Sequence, residues 1–226
     1  LLMKIFEIVN KNILTTLNFS YFKKPEKVKQ GPIITISREK NAGGTYIAEK
    51  LALKLGKKWD YYHKDIIEKI AQKSKIAVNK IEEVDEKNVP YLEDFFQSLV
   101  GKDYYSLDNY YRTLLKVLTE IGDQGHVIIV GRGANFLFKD ALKIRIIAED
   151  EFRINWLMKQ NSLTRKEAIN AIKKADKERE VFVLNLFNKD IGDPKNYDLV
   201  IKINSDSDLD EATNIIASVA RKRFKL

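Results

Sequence analysis

Four short, mostly apolar runs constrain this chain more than any other feature: "IITIS" from Ile33, "VIIV" from Val127, "IRIIA" from Ile144 and "DLVIKI" from Asp198. Each is rich in β-branched residues, which suit a pleated strand. None alternates cleanly between apolar and polar, so both faces of these strands are expected to be covered. Trp59 to Tyr62 reads as a further short strand. Stretches with apolar residues at spacings of three and four separate the runs. Strand alternating with helix in this way predicts an α/β fold with a parallel sheet between two helical layers.

The expected helices are Thr45–Leu55, Lys64–Lys73, Asn79–Lys87, Leu107–Gly122, Asp150–Gln160, Thr164–Phe187 and a last one from about Asp208 to the basic end "RKRFKL". In the first of these, Ile47, Ala48, Leu51, Ala52 and Leu55 share a face, and Gly56 stands where a C-cap glycine belongs. Residues 1–22 also read as an amphipathic helix, with Ile5, Ile8, Val9, Ile13, Leu14 and Leu17 on one side. The linker "KKPEKVKQGP" separates it from the core.

The chain has 226 residues, 44% of them hydrophobic, enough for one core with a helical appendage. It contains no cysteine, which excludes disulfides, thiolate metal sites and cysteine nucleophiles. That fits a reducing, cytoplasmic setting. No apolar run approaches the ~18 residues of a membrane span. The first segment carries polar residues throughout and lacks a small-residue cleavage site, which argues against a signal peptide. The formal net charge of +8 suits anionic partners such as nucleotides, although a general lysine richness explains it equally well. The basic residues are scattered, so no specific nucleic-acid interface is expected.

Chemistry concentrates first at "ITISREKNAGGTYIAEKL". A loop between a parallel strand and a helix aims backbone amides, and the positive end of the helix, at one point. Gly43 and Gly44 let an anion approach closely, and Asn41 tolerates positive φ. Lys40, Ala42 and Thr45 complete the loop. Against the phosphate-loop pattern G-x-x-x-x-G-K-[ST], Thr45 supplies the hydroxyl that meets Mg²⁺, but Arg38 replaces the first glycine and Gly44 the lysine. Taken alone, the stretch is equally an ordinary strand–turn–helix.

Five later segments follow it in order: "YYHKDIIEKIAQKSKI", "VIIVGRGANFLF", "KIRIIAEDEFRINWL", "EAINAIKKADKERE" and "DPKNYDLVIKIN". Together they resemble the cytidylate kinase-like family, P-loop proteins related to bacterial cytidylate kinases, over about Gly31 to Arg223. The resemblance implies a P-loop nucleoside monophosphate kinase fold: a five-stranded parallel sheet, a nucleotide-acceptor segment at about 60–124 and a mobile lid at about 160–192. Residues 1–30 lie outside it. It also implies ATP and Mg²⁺ as cofactors and a CMP- or dCMP-like acceptor.

Residue by residue, "GRG" at Gly131, Arg132 and Gly133 resembles the Gly-Arg-Asp of bacterial cytidylate kinases. Arg132 would grip the acceptor phosphate, and a guanidinium at the C-terminal edge of a parallel strand suits that role. The alternative is a structural arginine paired with a carboxylate. Gly133 departs from the aspartate and puts base or sugar selectivity in question. "KKADKERE" resembles the lid. Asp176 and Arg179 share a helical face, and Arg179 would reach the transferring phosphoryl group; Lys173, Lys174 and Lys177 add positive potential. Alone, this run also fits a solvated helix face. Arg153 matches a lid-base arginine, to contact nucleotide or to pair with Glu149 or Asp150.

His63, followed by Lys64, stands where the family often has aspartate. It is either an ordinary surface histidine or part of acceptor recognition. With the loop lysine missing, Arg38 or Lys40 within the loop, or a lid residue, has to supply its charge, and Arg38, Arg132 and Arg179 are the candidate catalytic cations. His126 has no assigned role. The stretch from Tyr91 to Arg112 holds five tyrosines and two phenylalanines, read as packing or a dimer surface, with base stacking as the alternative. Two functions from different classes stand: a nucleotide kinase, and a nucleotide- or phosphate-binding protein without turnover. A third, weaker reading gives residues 1–30 an interaction or membrane-surface role; more simply, that helix packs on the core or on a second copy of the chain.

Overall fold

The computed structural model describes residues 31–75 and 107–226. The expected helices over 1–22 and 79–87, the linker and most of the tyrosine-rich stretch lie outside the described residues. In chain order the elements are β1 (Ile33–Arg38), α1 (Gly44–Leu55), β2 (Asp60–Tyr62), α2 (Asp65–Ser74), α3 (Leu107–Gln124), β3 (Val127–Val130), α4 (Ala134–Leu137), β4 (Leu142–Ala148), α5 (Asp150–Asn161), α6 (Arg165–Phe187), β5 (Leu199–Ile203) and α7 (Asp206–Phe224). A single 3₁₀ turn at Pro194–Asn196 precedes β5.

The five strands form one parallel sheet in the order β2-β3-β1-β4-β5. The first strand is therefore central, and its C-terminal end opens between those of β3 and β4. Side chains alternate between two cores, as a period of two requires. Ile34, Ile36, Ile128, Val130, Ile144 and Ile146 pack under α1 and α7. Ile33, Val127 and Ile129 face the other side, under α2, α3 and the end of α6. Ile47 and Leu51 of α1 are fully buried, each contributing about 1.5–3 kcal/mol by leaving water. A third, smaller cluster of Ile154, Leu157, Ala168 and Ile172 joins α5 to α6.

Strand β4 starts two residues before the expected Ile144, and α4 is a turn that periodicity does not reveal. Tyr110 and Tyr111, the described end of the aromatic stretch, are buried in the core, with Tyr111 edge-on to Phe182 at 5.9 Å between ring centres. For these two residues packing is the observed role. Among the described residues no helix is long and apolar enough to cross a membrane.

The longest helix, α6, begins at a reciprocal cap. The Glu167 backbone N–H donates to Thr164 Oγ1, and Thr164 N–H donates to Glu167 Oε2 at 2.8 Å. It ends where Asn188 turns left-handed at φ 51°. Phe182, Val183 and Leu186 anchor its last turns in the core. Its middle passes over the end of β1, carrying Asp176 and Arg179 there.

Candidate functional site: a cavity at the end of the central strand

The loop after β1 makes two left-handed steps, at Asn41 (φ 59°) and Gly43 (φ 81°), and delivers the chain into α1 at Gly44. The first-turn amides of a helix have no intrahelical acceptor, so Gly44, Thr45 and Tyr46 present theirs at the loop. Asn41 Nδ2 is buried there without a hydrogen-bond partner. A glycine-walled cradle with an orphaned buried donor fits a polyphosphate. A cavity of about 610 Å³ opens over it, and its wall holds Arg38, Lys40, Asn41, Ala42, Gly43, Gly44 and Thr45 from the loop. His63 and Lys64 enter the same cavity from the end of β2, Arg132 from the end of β3, and Arg179 from α6.

Not all the expected residues converge. Arg153, Lys173 and Asp176 line a second cavity on the far side of Arg38 and Glu39, and Arg179 borders both. Gly131 and Gly133, also expected at the acceptor site, flank Arg132 but line neither cavity. Gly131, Arg132 and Gly133 are all left-handed, at φ 81°, 56° and 66°. A left-handed arginine is a strained conformation, of the kind that collects at ligand sites. Behind Gly133 lies the Phe187 ring of α6, in contact with any Cβ placed there. A side chain at 133 is thus excluded by the docking of α6, which accounts for the departure from aspartate.

The missing lysine has a steric explanation. The buried Arg38 side chain leaves β1 across Gly44, where an added Cβ would lie 2.9 Å from Arg38 Cβ and 3.0 Å from its Cγ. Its guanidinium then passes Gly131, where an added Cβ would lie 2.6 Å from Nη1. Arg38 at the first loop position and lysine at 44 are mutually exclusive. The guanidinium reaches His63, with Nη2 3.2 Å from Nε2.

That contact fixes the histidine's proton. Arginine only donates, so Nε2 accepts, and a neutral His63 carries its hydrogen on Nδ1. Nδ1 lies 3.3 Å from Thr45 Oγ1 and donates to it. His63 therefore links the loop arginine to the loop hydroxyl, and the Thr45 proton is left to point elsewhere.

On the other flank Asp176 reaches into the loop. One oxygen accepts the Lys40 backbone N–H at 2.6 Å; the other accepts Arg153 Nη1 at 2.5 Å. Arg179 Nη1 stands 3.5 Å from the first. Arg153 also donates to Asp150 at 2.6 Å and lies 3.8 Å from Glu39. Of the two partners expected for it, Asp150 is observed, while Glu149 pairs with Lys202 instead. Burial alone would lower the Arg153 guanidinium, but Asp150, Asp176 and Glu39 outweigh it and hold it above its ordinary value. Glu39 accepts the Ala148 N–H at 2.9 Å and ties the loop to the end of β4. Among the described residues no group of acidic or histidine side chains could hold a metal ion unaided. Mg²⁺ bound with a nucleotide takes most of its ligands from phosphate and water, and the Thr45 hydroxyl on the cavity wall suits that smaller share.

Glu39 and Arg145 carry no motif signal in the sequence: only a position inside the loop marks Glu39, and Arg145 is hidden in an apolar run.

A family model described as the cytidylate kinase-like family matches residues 33–205. No curated protein is significantly similar to the chain. Among solved structures, an uncharacterized protein from Eubacterium ventriosum covers 84% of this chain and 98% of its own, at 22% identity and a TM-score of 0.62. That likeness is one of fold. Shikimate kinase from Bacteroides thetaiotaomicron covers 83% and 97%, at 11% identity and a TM-score of 0.47. A protein from Thermus thermophilus covers 85% and 98%, at 15% identity and a TM-score of 0.48.

Proposed function

This chain belongs to the cytidylate kinase-like family, and from that premise we propose that it transfers a phosphoryl group from ATP to a small phosphate-bearing acceptor. A CMP- or dCMP-like nucleoside monophosphate is the first acceptor to test. The observation that carries the reading is convergence: loop amides, Arg132 and Arg179 come from three separate segments and line one cavity. MgATP, when bound, supplies the activated γ-phosphoryl group. The amides of Gly44, Thr45 and Tyr46 hold its phosphates in place. Arg132 and Lys64 hold the acceptor from the β2–β3 side. Arg179 approaches from the lid helix α6 and neutralises charge on the group in transit. Such transfers need position and positive charge more than covalent help. Arg38, whose methylenes cross Gly44 and whose guanidinium lies beside Gly131 and His63, serves as the loop's cation in place of the missing lysine.

A second reading, nucleotide binding without turnover, is favoured by one contact. The Asp176 carboxylate accepts the Lys40 N–H, so an anion of the protein's own already sits against the loop.

A coupled assay of ADP release with CMP, dCMP, UMP and AMP separates the two. Turnover with one acceptor, reduced by about 10²- to 10³-fold in Arg179→Ala, is the expected result. Folded protein that turns over none of the four, yet melts at a higher temperature with ATP, establishes the second reading. No turnover and no thermal shift would sink both.

A further inference from the structure

The second cavity has chemistry that phosphoryl transfer at the loop does not use. It lies between β4 and α6, has a volume of about 480 Å³ and contains Arg145. This arginine faces Ser37 across the β1–β4 ladder, in the middle of a sheet whose other central positions are mostly isoleucine and valine. It is 9% exposed. Its Nη1 donates to Ser37 Oγ at 2.8 Å, and its Cζ stands 6.0 Å from the centre of the Tyr197 ring. The Tyr197 hydroxyl lies 3.4 Å from the same Ser37 oxygen and donates to the Ile191 carbonyl at 2.8 Å, so the hydroxyls at this spot are held.

No described carboxylate forms an ion pair with Arg145. The acidic groups around the cavity are already engaged elsewhere. Asp150 and Asp176 accept from Arg153, and Glu39 accepts the Ala148 N–H. Glu180 pairs with Lys177, and Asp190 accepts the Gly192 N–H at 2.7 Å. Lys173, on the exposed side of α6, also lacks an ion-pair partner among the described residues. A buried cation without a counter-ion is expensive to maintain, and one neutral hydroxyl does not neutralise it. Ile154, Ile169, Ile172 and Ile191 give the wall its apolar part, and the cations Arg38, Arg153, Lys177 and Arg179 border it as well. The volume is that of a metabolite pocket.

We propose that this cavity is a second anion site, in which Arg145 and Lys173 take the oxyanion of a small metabolite, a phosphate ester or a carboxylate, whose short hydrocarbon body lies on Ile154, Ile169 and Ile172. The site meets the loop at Arg38 and Glu39 and shares Arg179 with the first cavity, but Arg145 and Lys173 belong to it alone. Its occupancy requires only Arg145, Lys173 and the isoleucine wall, whether or not the loop transfers phosphoryl groups.

Isothermal titration of the full chain with inorganic phosphate, propyl phosphate and butyrate tests it. One of the two organic anions binds more tightly than inorganic phosphate; propyl phosphate as the tighter identifies an ester ligand, butyrate a carboxylate. Arg145→Met weakens that binding by about tenfold or more, the loss of one charge-assisted hydrogen bond. Lys173→Ala weakens it by about threefold, as for a solvent-exposed pair. Lys222→Ala, on the exposed last turn of α7 and in the wall of neither cavity, leaves it unchanged. Should Arg145→Met fail to fold, Lys173→Ala and Arg145→Lys decide. Binding of none of the three anions, or binding indifferent to Arg145 and Lys173, overturns the proposal.

Discussion

Arg153 and Arg145 are buried to nearly the same degree, 7% and 9% exposed, yet their surroundings are opposite. Arg153 is enclosed by Asp150, Asp176 and Glu39, so its charge is settled within the protein and its role is to tie α6 to the loop and to α5. Arg145 has a hydroxyl and an aromatic ring beside it and, among the described residues, no carboxylate paired with it. Burial by itself therefore says little about what an arginine does; the company it is buried with decides. A guanidinium surrounded by carboxylates is part of the scaffold. One buried without them is available to an anion from outside.

Removing each charge should expose the difference. The largest effect is expected for Arg153→Met, which leaves Asp176 and Glu39 facing each other without their cation. It should destabilise the fold by about 2–3 kcal/mol in urea titrations, with Asp150 contributing least because it is largely exposed. A cost below experimental scatter would mean that the network is decorative. The next effect concerns Arg38, a third buried guanidinium, placed by the absence of side chains opposite it. Gly44→Lys restores the usual loop residue but drives its Cβ into Arg38, and should cost about 1–3 kcal/mol. Adding Arg38→Gly should recover most of that loss; a double variant no better than the single one would disprove the steric swap. The smallest effect is expected for Arg145→Met. A buried charge exchanged for a hydrophobe of similar length should change stability by less than about 1 kcal/mol in either direction. A loss as large as that of Arg153→Met would place Arg145 in the scaffold too.

Much of this architecture could be read from the chain because its strands are continuous β-branched runs and its helices keep a regular apolar face. Gly56, Thr164 and the glycines at 43 and 44 mark boundaries by conformational need. The pairing of Asp176 with Arg179 was visible in their spacing of three. Other features depend on distance in space. Arg38 and Gly44 look like two separate defects in a phosphate loop, and only the packed loop shows one side chain excluding the other. His63 reads as either a surface histidine or an acceptor contact, and its link between Arg38 and Thr45 shows only once β2 sets it there. Gly133 is unexplained until Phe187, 54 positions later in the numbering, packs against it. Arg145 is concealed by its isoleucine neighbours, since a single cation in an apolar run does not announce which residue stands opposite.

Helix α6 is anchored in the main core at its C-terminal end, packs on α5 near its start and reaches the loop in its middle. From its last residue, Phe187, back to Asp176 the axis runs about 16 Å at 1.5 Å per residue. Treated as a rigid lever pivoting on its anchored aromatic turns, it moves Asp176 by about 1.4 Å for every 5° of tilt. That stroke is enough to part the aspartate from the Lys40 amide and clear the floor of the loop. Any such tilt would gear access to the cradle to the seating of Phe182, Val183 and Leu186, residues that line no part of the cavity.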